Sequence, residues 1–278
     1  MMYRKSCTTM KQTRCFLVMA VAALTLAVYV PSVSAEEKSD GNSGWEFQVA
    51  PYMWFLSGSG DVTVKGQKSD LDLSFNDIWD ELNIAAMLAF EGRKGRWGFY
   101  GDIIGANLGK STTVDGIKID PTVKLLWLTA GPSYRLGTWN LSDAQSNEVP
   151  TVTVDAFAGV RYTYLDIKLD FKNVPLPSPS GDQDWFDPLV GARAIFDLSE
   201  KWAVSLDGSI GGFGVGSDFA WDAAGLIGYR FGLFGKDNAT FFGGYRARYQ
   251  DYTDGSGDDK FKWDVTLHGP ILGLGIGF

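Results

Sequence analysis

The sequence predicts an all-β protein, a closed antiparallel up-and-down transmembrane β-barrel of about ten strands, with twelve or eight strands as alternatives. The first observation is at the C-terminus, where the apolar residues of segment 272–278 alternate with glycines, the two-residue period of a strand. The second is that ten such segments are joined by connections that are short and long in turn. The third is the composition, because 34 Gly, 18 Phe, 11 Tyr and 10 Trp suit tight turns and aromatic girdles.

The ten predicted strands follow from the alternation of apolar and polar residues. A tilted strand needs about nine to eleven residues to cross a membrane. Each predicted strand has this length or is close to it. Aromatic residues at the strand ends, Trp45, Trp97, Trp185, Trp202 and Phe278, are interpreted as interfacial girdles. The strands are placed at residues 45–55, 84–90, 97–108, 122–136, 152–171, 185–198, 202–211, 219–231, 240–252 and 263–278.

The first 35 residues predict a secretory signal peptide. Four basic residues and no acidic one precede an apolar run at 16–30, and Val33 and Ala35 supply the small residues of a cleavage site. The run is short for a spanning helix. Both cysteines, Cys7 and Cys15, lie in this segment, so the chain that follows has no disulfide and no thiol nucleophile.

The domain organisation and the location follow from that segment. We expect a signal peptide at residues 1–35, a flexible segment at 36–44 and an outer-membrane β-barrel at 45–278. The signal peptide directs the chain across the inner membrane, is cleaved, and leaves the barrel in the cell outer membrane. The expected partner is outer-membrane lipid, with small solutes if the lumen is open. Nucleic acid is excluded because 33 Asp and Glu outnumber 25 Lys and Arg, and the oligomeric state is left open.

One region departs from the pattern of long strands. Residues 61–65 and 71–75 alternate but are too short to cross a bilayer, so they predict a hairpin beyond the membrane; twelve strands result if it enters the membrane. Phe75, Ile78 and Trp79 then recur at helical spacing. The sequence thus predicts one short helix after the first strand and its hairpin, most simply a cap on the barrel mouth.

Two local features refine this region. Ser74 is a suitable N-cap for the helix, and Asp77 three residues later makes a weak capping box. In the first strand Pro51 removes one donor from the ladder. We therefore expect a local irregularity in strand pairing near Pro51.

Charged residues recur on the faces that point into the predicted barrel. The more apolar face of each strand is taken as outward, because an Arg or Lys facing lipid at mid-depth costs about 2–4 kcal/mol. Two interpretations stay open: ion pairs that fill and close the lumen, or a narrow arginine-lined pore with anion preference. Ten strands are close to the number at which side chains fill the interior, which favours ion pairs. Arg230, Arg246 and Arg248 lack equal numbers of nearby acids in the sequence, which keeps the pore open as an interpretation. The predicted lumen charge network consists of Glu91, Asp102, Arg135, Asp155, Arg161, Arg193, Asp207, Asp222, Arg230, Arg246 and Arg248.

Catalytic, cofactor and metal sites are not expected. Barrel hydrolases commonly use a histidine to activate a nucleophile, and the single histidine, His268, falls on the outward face near the outer rim. The acidic loop at 251–259 lacks the ligand spacing of an EF-hand. The glycine-rich segment 211–216 does not open a helix, as a nucleotide-binding loop would.

Several short motifs of the chain carry a resemblance to known proteins. They are Trp-Phe-Asp-Pro-Leu-Val-Gly-Ala-Arg at 185–193, the glycine-rich segment 211–217, Gly-Tyr-Arg at 228–230 and 244–246, Gly-Pro-Ile-Leu-Gly at 269–273, the turn at 91–97, the segment 75–82 and the terminal Phe278. With these motifs the chain resembles an uncharacterised family of proteobacterial outer-membrane β-barrel proteins over residues 45–278, and it is more loosely similar to small opacity-type and adhesin-type barrels. The resemblance implies the barrel fold and the outer-membrane location but no reaction.

The function predicted from these observations is non-enzymatic. The chain is expected to be an integral outer-membrane barrel that serves as a structural barrel or as a narrow diffusion pore with a charged lumen. One alternative is an adhesin-like barrel that binds through its external loops, although most of the predicted external loops are short. The other is a lipid-modifying barrel enzyme, which a single outward histidine does not favour.

Overall fold

The computed structural model describes residues 44–109, 112–114, 117–141, 150–171, 180–233 and 236–278. The predicted signal peptide and all but the last residue of the predicted flexible segment lie outside these ranges. The described strands are β1 (Glu46–Trp54), β2 (Ser57–Val64), β3 (Gln67–Leu73), β4 (Leu82–Lys94), β5 (Trp97–Leu108), β6 (Thr112–Val114), β7 (Ile117–Asn140), β8 (Thr151–Phe171), β9 (Ser180–Asp197), β10 (Trp202–Gly211), β11 (Phe219–Leu233), β12 (Lys236–Asp254) and β13 (Phe261–Gly277). The helix α1 spans Phe75–Glu81, and a short 3-10 turn spans Gly257–Asp259.

Ten long strands close into a barrel. The order around the wall is β1, β4, β5, β7, β8, β9, β10, β11, β12 and β13, and β13 pairs back with β1. All of these neighbours are antiparallel. Among the described strands, β6 pairs with β7 alone. The predicted closed antiparallel barrel of ten strands is therefore confirmed.

The two-residue period of the sequence decides which side chains point outward. In β10, Trp202 and Leu206 are exposed, whereas Ala203 and Ser205 are fully buried. The same alternation in the other strands gives the barrel an apolar outer surface. Its exposed members include Val160, Val190, Ile210, Ile227, Phe241 and Leu272.

Four of the five aromatic residues predicted for the girdle are exposed at one end of the barrel, and the prediction for the fifth, Trp185, is wrong. Trp45, Trp97, Trp202 and Phe278 are exposed near the end where β1 begins and β13 ends, called here the near end. Trp185, in contrast, is only 4% exposed and its ring stacks on that of Tyr252 with centroids 4.0 Å apart. It lies inside because Trp185 has the same parity in β9 as Asp187 and Arg193, whose side chains point inward.

The predicted hairpin is formed by β2 and β3 and lies outside the ring of ten strands. Strand β13 is long enough for two partners on one edge, because its residues 271–277 pair with β1 and its residues 262–268 pair with β2. Strand β3 extends this sheet by pairing with β2. The hairpin therefore lengthens one side of the wall at the far end, opposite the near end, and does not make a twelve-stranded ring.

The helix α1 directly follows β3 and connects the hairpin to β4. The predicted capping box is present, since the Ser74 hydroxyl accepts from the Asp77 amide and the Ser74 amide donates to Asp77 Oδ2 at 2.9 Å. Hydrogen bonds from the Ser74 side chain and amide hold the pKa of Asp77 below its ordinary value. In the ranges that the structure describes, no helix is long and apolar enough to span a membrane.

Two local predictions can be compared with the strand ends. Pairing of β1 with β13 lapses at Pro51, between Val49 opposite Ile276 and Tyr52 opposite Gly273, so the expected irregularity at Pro51 is confirmed. The strand predicted at 185–198 is wrong at its start, because β9 already begins at Ser180.

Candidate functional site

The interior of the barrel is the candidate site, because the predicted charged residues converge there. All eleven members of the lumen charge network lie on inward faces, and each has at least one oppositely charged partner among the described residues. Asp155 and Arg248 are each only 1% exposed. Charges this deeply buried are tolerated when they are paired and hydrogen-bonded, so the partners decide what the site can do.

At mid-height, one carboxylate is shared by three arginines. Asp222 Oδ2 accepts from Arg246 Nη2 at 2.9 Å, from Arg248 Nε at 2.7 Å and from Arg161 Nη2 at 3.4 Å. Asp102 on β5 is the second anion of this group, 3.2 Å from Arg246 Nη2 and 3.6 Å from Arg248 Nη2. Its other oxygen accepts a hydrogen bond from Tyr52 at 2.7 Å.

A second group of ion pairs lies closer to the near end. Asp155 Oδ2 is 2.8 Å from Arg93 Nη2, and Asp155 Oδ1 accepts from Arg135 Nε at 3.0 Å. Arg93 Nη2 also contacts Glu91 at 2.9 Å. Arg193 donates to Asp207 at 2.6 Å and lies 3.9 Å from Glu91. This group joins strands β4, β7, β8, β9 and β10 into one cluster.

The expectation that Arg230, Arg246 and Arg248 lack nearby acids was wrong. Arg246 and Arg248 are balanced by Asp102 and Asp222, which come from β5 and β11. Arg230 pairs with Asp197 of β9 near the near end of the barrel. These acids are far from the arginines in sequence, and closure of the ring brings them together.

Three lumen residues, Arg93, Asp187 and Asp197, are absent from the predicted network. Arg93 is two residues after Glu91 and on the same face, but the sequence around it reads as a turn. Asp187 and Asp197 are six residues before and four residues after Arg193. The two-residue period that placed Arg193 inside would have found both. With them, the described network contains seven arginines and seven carboxylates: Arg93, Arg135, Arg161, Arg193, Arg230, Arg246 and Arg248, with Glu91, Asp102, Asp155, Asp187, Asp197, Asp207 and Asp222.

Towards the far end the lumen becomes apolar and is crossed by hydrogen bonds. Trp127 of β7 donates from Nε1 to Gln250 of β12 at 3.1 Å. These strands are five places apart in a ring of ten, so the bond joins opposite walls. The Arg248 guanidinium lies over the rings of Trp127 and Trp54, 4.9 and 5.7 Å from their centroids. The surrounding buried side chains include Tyr52, Met87, Ile104, Leu125, Leu165, Trp185, Leu226, Phe242, Phe261, Val265, Leu267 and Ile271.

A small cavity remains between the arginines at mid-height. Its volume is about 80 Å³, enough for several water molecules. The lining includes Tyr100, Asp102, Arg161, Arg193 and Arg246. The lining arginines donate to carboxylates that face the same space, so the cavity is polar and close to neutral.

His268 is outside the lumen. It lies on the outward face of β13, and its Nδ1 is 2.6 Å from the hydroxyl of Tyr245 on the neighbouring strand. In the described parts of the chain, no group of three or more His, Cys, Asp or Glu side chains is arranged to hold a metal ion.

Comparison with known structures places this architecture in a class, that of outer-membrane β-barrels. The crystal structure of the outer membrane protease OmpT from Escherichia coli superposes with a TM-score of 0.51 and 10% identity, over 87% of this chain and 99% of that chain. The attachment invasion locus protein Ail of Yersinia pestis is also similar, with a TM-score of 0.35 and 16% identity over 85% and 99% of the two chains. A FadL homologue of Pseudomonas aeruginosa has a TM-score of 0.25 and 9% identity over 84% and 89%.

No family model and no curated protein matches the chain. The likeness to OmpT therefore shows the fold and carries no information about a reaction. The resemblance that the sequence motifs suggested is supported at the level of the outer-membrane barrel fold.

Proposed function

We propose that this chain is an integral outer-membrane protein without enzymatic activity, whose barrel is closed to ions and serves a structural role. The apolar outer surface and its aromatic end support insertion into lipid, since a closed barrel satisfies its backbone groups between strands. An even number of strands brings both ends of the barrel segment to one side, the near end, which we assign to the periplasm.

The observation that carries the proposal is the direct bonding of opposite walls. The 3.1 Å hydrogen bond from Trp127 to Gln250 leaves no room for a hydrated ion to pass between these side chains. At a second level, Arg246 reaches across from β12 to Asp102 of β5 at 3.2 Å. At a third, Arg93 of β4 reaches Asp155 of β8 at 2.8 Å. Each contact joins strands at least three places apart in the ring.

The narrow anion-preferring pore is the second candidate, and the cavity of about 80 Å³ is the observation in its favour. A pore would need the water in this cavity to connect to both ends. Anion preference would also need an excess of positive charge, whereas the described lumen contains seven carboxylates beside its seven arginines. The charge balance supports the closed barrel over the pore.

The two remaining classes have less support. A lipid-modifying enzyme would need an activated nucleophile or water, and His268 faces outward with Tyr245 as its hydrogen-bond partner. An adhesin-like role would use the far end, where the β2–β3 hairpin carries charged side chains such as Lys68 and Asp61, 3.0 Å apart. That role remains a prediction.

The closed barrel is tested in two steps. First, the protein is expected in the outer-membrane fraction, with a gel mobility that changes on heating as folded barrels do. Second, purified protein in planar lipid bilayers is expected to give no stable conductance steps, because the side chains of opposite walls are in contact. A general porin in the same bilayers is the positive control, and heat-modifiable mobility of the reconstituted sample verifies insertion.

Each step has a result that overturns the corresponding part of the proposal. Recovery of the folded protein in the soluble fraction without detergent would remove the membrane assignment. Stable, anion-selective conductance of the inserted protein would replace the closed barrel by the narrow pore.

A further inference from the structure

The barrel wall is interrupted beside the helix α1. Strand β4 pairs with β1 only from Arg93 to Leu88, and its far half, residues 82–87, pairs only with β5 among the described strands. Strand β3 likewise pairs only with β2 in that part of the chain. The sheet thus has two free edges at the far end, and α1 connects one edge to the other.

The interruption begins at Pro51, which is the last residue of β1 that pairs with β4. Three residues later, the amide of Trp54 donates to the sulfur of Met87 at 3.1 Å and not to a carbonyl. Strand β1 therefore leaves β4 at this point, and the chain continues along β13 as β2.

Free strand edges cannot face the hydrocarbon of a membrane, because each unpaired backbone group there costs several kcal/mol. The edges must lie where the hydrocarbon ends or be covered by protein. The gap begins after Leu88, five residues beyond Arg93, which is about 16 Å along a strand and about 13 Å along the axis of a barrel with a tilt of about 40°. It continues past Ile84, nine residues beyond Arg93 and somewhat over about 20 Å along the axis. Since the apolar band of such barrels is about 25 Å tall, the gap lies in the outer half of this band and reaches its boundary with the headgroups, so protein must cover it.

The side of α1 that covers the gap is aromatic. The rings of Phe55, Phe75 and Trp79 form one group, with centroids 5.3 Å apart for Phe55 and Phe75 and 5.6 Å for Phe75 and Trp79. Trp79 is 50% exposed and Ile84 on the adjoining strand is 65% exposed. This surface is exposed although aromatic residues usually bury most of their area.

One other side of α1 packs against the barrel, and another is polar and exposed. Ile78 packs against the buried apolar cluster of the barrel, which holds the helix over the gap. Asn76 and the Ser74–Asp77 capping box are exposed and polar. An amphipathic helix with aromatic residues on one side and polar residues on another suits the interface between lipid and water.

We propose that α1 lies in the outer-leaflet interface and that Phe55, Phe75 and Trp79 contact lipid acyl chains there, sealing the gap between β3 and β4 against the hydrocarbon. The partner is outer-leaflet lipid because this apolar surface continues the outward face of the barrel through Met53 and Leu88, which share the outward faces of β1 and β4. This inference rests on the proposed membrane location.

Site-directed spin labelling tests the inference in the full chain, with Cys7→Ser and Cys15→Ser so that each added cysteine is the only one. Labels are placed by Trp79→Cys on the aromatic side, Asn76→Cys on the polar side and Ile227→Cys on the outward face of β11. Ile84→Cys gives a second position on the exposed apolar surface in case Trp79→Cys does not fold. Collision of the nitroxide with oxygen, which concentrates in lipid, is compared with collision with a water-soluble nickel chelate in reconstituted vesicles.

The expected result is a several-fold higher oxygen-to-nickel collision ratio at residues 79 and 84 than at residue 76, approaching the ratio at residue 227. A ratio at 79 and 84 equal to that at 76, with residue 227 in lipid, would overturn the inference and leave the membrane location intact. A water-like ratio at residue 227 would instead overturn the membrane location itself. Spin–spin broadening at residue 79 would show a second chain on this surface and would also overturn the lipid assignment.

Discussion

Asp187 is a buried carboxylate on which four hydrogen bonds converge. Its Oδ2 accepts from Trp185 Nε1 at 3.1 Å, from Ser217 Oγ at 2.9 Å and from Gln250 Nε2 at 3.0 Å, and its Oδ1 accepts from the Ser217 amide at 2.6 Å. Ser217 belongs to the turn between β10 and β11. Asp187 therefore ties this turn, the wall strand β9 and the opposite-wall contact of Gln250 into one unit.

Replacement of Asp187 by Asn is expected to destabilise the barrel. The amide group of asparagine replaces one acceptor oxygen by a donor, so at least one of the four buried donors loses its partner, at a cost of about 1–3 kcal/mol. The unfolding midpoint in urea, followed by heat-modifiable gel mobility in vesicles, measures the loss. Asp184→Asn is the matched control, because Asp184 is on the same strand but exposed. Equal midpoints for the two variants would contradict this role of Asp187.

Strand β13 is the element that allows the barrel and the hairpin to coexist. It pairs with β1 along one part and with β2 along the other, and Gly269 lies where the partner changes. A Cβ at Gly269 would be 1.9 Å from the carbonyl oxygen of Phe55. The Phe55 amide also donates to the carbonyl of Pro270 at 2.8 Å, so the two backbones are in close contact at this point.

Gly269→Ala is expected to weaken this junction. The backbone contact leaves no room for a methyl group, and overpacking of this kind costs about 1–3 kcal/mol. The measurements are the yield of heat-modifiable folded protein and the urea midpoint. Gly208→Ala is the matched control, since a Cβ at Gly208 meets nothing within 4 Å. A Gly269→Ala variant as stable as Gly208→Ala would show that β13 can shift at this junction without cost.

At the scale of the whole molecule, the lumen charge network holds strands together that are not neighbours. Asp102, Asp222, Arg246 and Arg248 join β5, β11 and β12, and Arg161 adds β8. Backbone hydrogen bonds link each strand only to its neighbours, whereas these ion pairs cross the interior. Their contribution depends on complete pairing, because an unpartnered buried charge is destabilising.

The double variant Arg246→Leu and Arg248→Leu is expected to lower stability by an amount on the order of 3–5 kcal/mol, since Asp102 and Asp222 lose their closest cations. Adding Asp102→Asn and Asp222→Asn removes the unpaired charges and should recover a large part of the loss. Urea midpoints of the double and the fourfold variants are compared with the unmodified protein. A double variant as stable as the unmodified protein would mean that the arginines are hydrated, as in an open pore.

The sequence predicted much of the fold because the two-residue period is a local property. The ten strands, the capping box at Ser74 and Asp77, and the irregularity at Pro51 all depend on residues close together in the chain. The same period placed all eleven predicted charged residues on inward faces. Applied to the whole of β9, it would also have placed Trp185, Asp187 and Asp197 inside, because they share a face with Arg193.

The sequence by itself determined which residues face inward and which face outward, because alternation requires no knowledge of distant partners. Only the tertiary structure decided which charges meet. Closure of the ring brings Arg246 within 3.2 Å of Asp102, 144 positions away, and Trp127 within 3.1 Å of Gln250, 123 positions away. Such pairings depend on strand order, register and the width of the barrel, and none of these is encoded in a local pattern. The balance of charge in the lumen, which supports the proposed closure to ions, is therefore a property of the assembled ring.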